Sequence, residues 1–158
     1  MTKLAYPLTL RAASLTLPAS LAVVVGTVAT DQADATSGAV RIGAATTVRL
    51  VCSYARHASS STGVPVFAVD VSMDPPSTDP ASVANWTPTY LLDGSSFSAG
   101  AIDGYPEAFA PKPSATGTTT RGTPPWDTRG AHWIRVRMTD ADATNRGAVT
   151  SLALGGET

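Results

Sequence analysis

The stretch AHWIRVRMTD, residues 131–140, decides the fold class. His132, Ile134, Val136 and Met138 alternate with Trp133, Arg135 and Arg137, the period-two pattern of a strand with two different faces. A second stretch, TTVRLVCSYAR at 46–56, repeats the pattern. Val48, Leu50, Cys52 and Tyr54 fall on one side, and Arg49, Val51, Ser53 and Ala55 on the other. A third, VPVFAVDVSM at 64–73, sets Phe67, Val69, Val71 and Met73 against Val64, Val66, Ala68 and Asp70, with the Met73 side the better core face. GAVTSLALGG at 147–156 closes the chain as another strand.

Composition agrees with these strands. Of 158 residues only 15% are charged, with Arg outnumbering Lys nine to two and Asp outnumbering Glu ten to two. Lys and Glu are strong helix formers, so their scarcity lowers the expectation of helix. Thr, Val, Gly, Pro and Ser favour strands and turns. The formal net charge of −1 gives no general electrostatic pull toward nucleic acid or an anionic membrane. Cys52 is the single cysteine, which excludes an intrachain disulfide and any CxxC metal pattern. It reads as a small buried hydrophobe on a strand.

Between the strands lie turns and loops. Residues 1–17 read as an extended N-terminal arm, anchored by Leu4, Leu8, Leu10, Leu15 and Leu17, that lies either on its own domain or on a neighbouring subunit, ahead of one domain at 18–158. The run LTLRAASLTLPASLAVVVGTVA at 8–29 has signal-peptide features, but Arg11 and Pro18 break it, and it is too short for a membrane span. Residues 20–29 read as a strand with Gly26 at a bulge. Residues 74–88 read as loop with at most one helical turn, capped by Asp79 with Pro80 at its first position. TYLLD at 89–93 is a short strand. Residues 94–130 form a long irregular loop that either carries short strands or is held by a partner, pinned by Phe97, Ile102, Tyr105, Phe109 and Trp126. Seven or eight short strands with almost no helix predict an all-β chain: an antiparallel β-sandwich or jelly-roll-like domain, with a partly open barrel as the alternative.

One pattern occurs twice: TDQADATSGAV at 30–40 and TDADATNRGAV at 139–149. An Asp-x-Asp-x-Thr run resembles a calcium loop. Such loops take a bidentate Glu at the twelfth position, and here that position counted from Asp140 is Ser151. The expected reading is a pair of self-capping Asp turns, with Gly at positive φ before the next strand. A cation site is the alternative.

Catalytic patterns are thin. GxSxG, HExxH, P-loop and dinucleotide fingerprints do not occur. His132 reads as structural. Asp70 with Asp74, or Glu107, would supply a carboxylate pair, but no spacing selects them. The expectation is a non-enzyme with no cofactor. Trp86, Tyr90, Trp126 and Trp133 read either as seals of a sandwich or as an aromatic platform for sugar. Arg135 and Arg137 share a face with Trp133, where they would grip a partner's carboxylates or stack on the indole.

The tracts VPVFAVDVSMDPPSTDPASVANWTPTYLLDG and WDTRGAHWIRVRMTDADATNRGAVTSLAL resemble small virion structural proteins of tailed bacteriophages. The likeness is one of order: a strand, a W-x-P stretch, a variable loop, a W-I-R-V strand, and a Gly-containing turn into a final strand. It covers roughly 48–154 and carries over no site residues. It implies a β-sandwich or jelly-roll subunit in the virion, first of all a capsid decoration (cement) protein, trimeric, bridging major capsid subunits after assembly in the bacterial cytoplasm. A tail, neck or fibre-base component is the second expectation and a carbohydrate-binding adhesin the third. The partners would be virion proteins and other copies of the chain, with no direct nucleic acid or membrane contact. The contact residues expected are Leu4, Tyr6, Leu8 and Leu10 on the arm, then Trp126, Arg135 and Arg137. The arm would act by strand addition.

Overall fold

Two antiparallel sheets face each other across one apolar core. The computed structural model describes residues 8–11, 14–23, 34, 36–43, 45–60, 63, 65–93, 118–122, 126–128 and 130–157. The described strands are β1 (Leu8–Arg11), β2 (Leu15–Thr16), β3 (Ala22–Val23), β4 (Val40–Arg41), β5 (Thr47–Ala55), β6 (Pro65–Ser72), β7 (Trp86–Asp93), β8 (Thr118–Gly122), β9 (Trp126–Asp127), β10 (Trp133–Asp140) and β11 (Ala148–Glu157). The first sheet runs β1-β11-β5-β8, with β2 also on β11 and β9 also on β5. The second runs β3-β10-β6-β7, with β4 also on β10.

Alternation builds the core. From β5 come Val48, Leu50, Cys52 and Tyr54, and from β11 Val149, Leu152 and Leu154. Phe67 and Val69 of β6 and Ile134, Val136 and Met138 of β10 meet them from the second sheet, with Val71 packed alongside. The strand faces at 46–56, 64–72 and 133–140 therefore match the alternation in the sequence. Met73 does not: β6 ends at Ser72, and Met73 lies past the sandwich with 72% of its surface exposed.

The expected arm is, over its described part, sheet. Leu8, Thr9 and Arg11 pair with β11, and Leu15 and Thr16 pair with its beginning. Leu10 and Leu17 are buried in the core. Leu10 is therefore spent on this chain's own interior rather than offered to a partner, because an edge strand with alternating leucines gains more by covering the open side of β11. The backbone of Leu8 belongs to β1, whereas Leu4 and Tyr6 lie outside the described residues. Residues 118–122 and 126–127, placed in the expected long loop, form β8 and β9, both paired with β5. Phe97, Ile102, Tyr105, Glu107 and Phe109 lie outside the described residues.

The 3-10 turn Pro80–Ser82 is capped as its sequence predicts: Asp79 Oδ1 accepts from Ala81 N at 2.9 Å. The strand beginning near 89 starts earlier, at Trp86. Pro88 is tolerated there because β7 borders the sheet and the β6–β7 register shifts between Val69 and Asp70.

Candidate functional site

The turn at 140–147 carries the chain from β10 in one sheet to β11 in the other. Asp140 Oδ1 accepts from Asp142 N at 2.8 Å, and its Oδ2 accepts from Gly147 N at 2.7 Å and from the Tyr54 hydroxyl at 2.7 Å. Asp142 Oδ1 accepts from the Thr144 and Asn145 amides, and its Oδ2 from Ser60 Oγ at 2.6 Å. These contacts hold the Asp142 carboxyl below the usual range, the Asn145 amide contributing most. Burial, then the bond to Asp140, pushes the Tyr54 phenol up, so it stays a donor. In the first copy of the motif, Asp34 accepts from the Ser37 amide and Gly38 stands at φ 70°. The second copy, and the described Asp34 and 36–38 part of the first, are thus self-capping turns. Gly147 differs from the expectation, since it is not among the positive-φ glycines. It is required for space: a β-carbon there would collide with the Tyr54 hydroxyl and the Ala55 carbonyl.

The chemistry-bearing face is the outer side of the β3-β10-β6-β7 sheet. Registers place Arg41, Trp133, Ser72 and Trp86 in one cross-strand row, and Arg135 opposite Asp70 in the next. Asp70 is fully buried. An ion that cannot reach water needs compensating donors. Arg135 Nε supplies one at 2.7 Å, and Arg137 supplies two, from Nε at 2.8 Å and Nη2 at 2.8 Å. Burial pushes the Asp70 carboxyl up, but the bonds and charges of Arg137 and Arg135 outweigh it and hold it below the usual carboxylate range. The Arg137 guanidinium is correspondingly raised, mainly by its bond to Asp70.

The two tryptophans are fitted into the same face. Trp133 is completely buried, packing with Ala39 and Val83 and donating from Nε1 to the Asp74 carbonyl at 3.1 Å. Trp86 is half-buried and donates to the Val83 carbonyl at 3.1 Å. The Arg41 guanidinium lies 4.9 Å from the centre of Trp133, and that of Arg135 lies 4.5 Å from the centre of Trp86. Arg135 thus stacks on an indole, but on Trp86 rather than its strand neighbour. Alternate residues of one strand lie side by side, while the indole across the sheet is the one it can cover.

The four aromatics do not form one platform. Trp133 is buried, and Trp126 belongs to β9 in the opposite sheet. Asp70 and Asp74 serve different partners: Asp74 accepts from the Ala84 and Asn85 amides and from Asn85 Nδ2, which hold its carboxyl at about 2. His132 precedes β10, and its carbonyl accepts from Ile42 N. Cys52 is buried, and desolvation pushes its thiol up to about 12.

The role of Asp70 had a signal in the sequence, an acid inside the apolar run VPVFAVDVSM. The bond between Tyr54 and Asp140 had none. The fold and this site define an all-β sandwich with an arginine-rich outer sheet face. The chain matches no protein-family model, no curated protein and no solved structure.

Proposed function

We propose that this chain is a non-enzymatic structural subunit of a tailed-bacteriophage particle, and within that class a head decoration protein that bridges and stabilises major capsid subunits. The observation that carries the reading is the ordered resemblance over roughly 48–154. Its two tracts span β6, β7, β9, β10 and most of β11. Support also comes from how the ionisable groups are used: Asp70, Asp74, Asp140 and Asp142 each bind donors of their own chain. A subunit of this kind works by surface burial, about 25 cal/mol per Å² of apolar contact, repeated over a lattice. A trimeric form would multiply those contacts.

The test is the copy ratio of this chain to the major capsid protein in purified particles, by quantitative mass spectrometry. A ratio near one, or a simple fraction of it, supports head decoration. A handful to some tens of copies overturns it in favour of a neck or tail position. Absence from particles overturns the virion reading altogether.

A further inference from the structure

We propose that the outer face of the β3-β10-β6-β7 sheet is a docking surface for an acidic segment of a partner protein, with the Arg135 guanidinium as its anchor. The inference deepens the reading of the chain as a subunit that works by surface contact and rests on it. It begins from charge. The described side chains on this face present three guanidiniums, Arg41, Arg135 and Arg137, against one carboxylate, Asp70, while the register puts one further acidic position, Asp93 opposite Val66, at the far end of the same face. Asp70 is buried beneath the arginines and fully engaged, so the charge offered to solvent is positive.

Geometry then selects the ligand. A guanidinium has five donors in a planar fork. Among the described residues Arg135 spends Nε on Asp70, which leaves its Nη1 and Nη2 pair, the end-on fork that donates two parallel bonds to a second carboxylate. Arg137 spends Nε and Nη2 and keeps Nη1. Both side chains remain about a quarter exposed, at 24% and 26%. Arg41 adds a third positive charge to the face, its guanidinium held over the Trp133 ring. Arg135 and Arg137 are alternate residues of β10 and so stand about 7 Å apart along the strand, the spacing of alternate side chains, those on one side, of an extended acidic segment.

The site is also rigid before binding. Arg135 is held between Asp70 and the Trp86 ring, Arg137 is bidentate on Asp70, and Arg41 lies over Trp133. Ordering these long side chains, ordinarily a cost of association, has already happened in folding. Asp70 is thus the positioning residue of the face, and the free Nη groups are its contacts.

The experiment is a titration of the intact chain with a short synthetic Glu-rich peptide, followed through arginine Nε–Hε resonances. A single-stranded oligonucleotide and inorganic phosphate serve as competing anions. The expected result is saturable movement of the Arg41, Arg135 and Arg137 signals that weakens as salt is raised. Arg41→Gln, and Arg135→Lys, which keeps a charge for Asp70 but loses the fork, should each weaken peptide affinity about three- to tenfold with folding intact. Absence of shifts in the wild type, equal affinity in the variants, or stronger engagement by the oligonucleotide or by phosphate overturns the proposal. The titration needs no particle, so its failure is separable from failure of the virion reading, which the copy ratio decides.

Discussion

The Tyr54 hydroxyl donates a 2.7 Å bond to Asp140 across 86 residues of chain, and that contact ties together two of the corners where the chain changes sheet. β5 leads to β6 on one side and β10 to β11 on the other. Ser60 on the first corner donates to Asp142 on the second. Both members of the Tyr54 pair are buried, at 0% and 3% exposure. Tyr54→Phe leaves Asp140 one donor short in a dry site and should cost about 2 kcal/mol. Urea denaturation checks this, with a lower midpoint at unchanged slope. An unaltered midpoint would mean that the corner contact contributes nothing to stability.

The two glycines of the repeated motif should respond differently. At Gly38 the requirement is the φ of 70°, so Gly38→Asn, which tolerates left-handed backbone, should cost under about 1 kcal/mol. At Gly147 the requirement is the missing β-carbon, so even Gly147→Ala forces Tyr54 or the Ala55 carbonyl aside. Overpacking of that kind costs about 1–3 kcal/mol. Thermal melts of the two variants side by side test the difference in cause.

Asp70 should dominate an acid-sensitive part of the stability. Its carboxyl is held below the ordinary value in the folded chain. The stabilisation is therefore complete above the unfolded carboxylate pKa of about 3.9 and is lost as pH falls through the lower folded value. Asp70→Asn should be less stable than wild type near neutrality by about 3 kcal/mol, since two guanidiniums lose their ion. That gap should narrow as pH drops below about 4. A gap constant with pH would remove the ion pairs as its origin.

Cys52 provides a reporter of global unfolding. With the thiol buried at 1% exposure and pushed up to about 12, almost no thiolate forms at about pH 8. Labelling with a thiol reagent should be far slower than for the urea-unfolded chain and should follow global opening. Labelling of the native chain at the unfolded rate would contradict the placement of Cys52 in the core.

Individual elements show what was readable in the chain. The two faces of residues 48–54, of 67–71 and of 133–138 followed from alternation alone, because a strand's side chains change sides at every residue. The cap at Asp79 and the two Asp turns were equally local, since each carboxylate binds amides two or three residues away in sequence. The segment at 8–17 is legible as extended apolar chain, but its leucines look alike whether they meet a partner or β11. Only the open side of β11 assigns them to this chain's own sheet.

The sequence by itself determined that the protein is made of strands, where most of them run, and which face of each is apolar, because these depend on neighbours within a few residues. Tertiary structure alone decided which strands share a sheet, that 140–147 is a corner between sheets, that Gly147 makes room for Tyr54, and that Arg135 covers Trp86 while joining Arg137 on Asp70. Those pairings join residues far apart in the chain. No local pattern encodes them, because each is selected by the requirement that a charge or hydroxyl removed from water find its partner wherever the packed sheets place one.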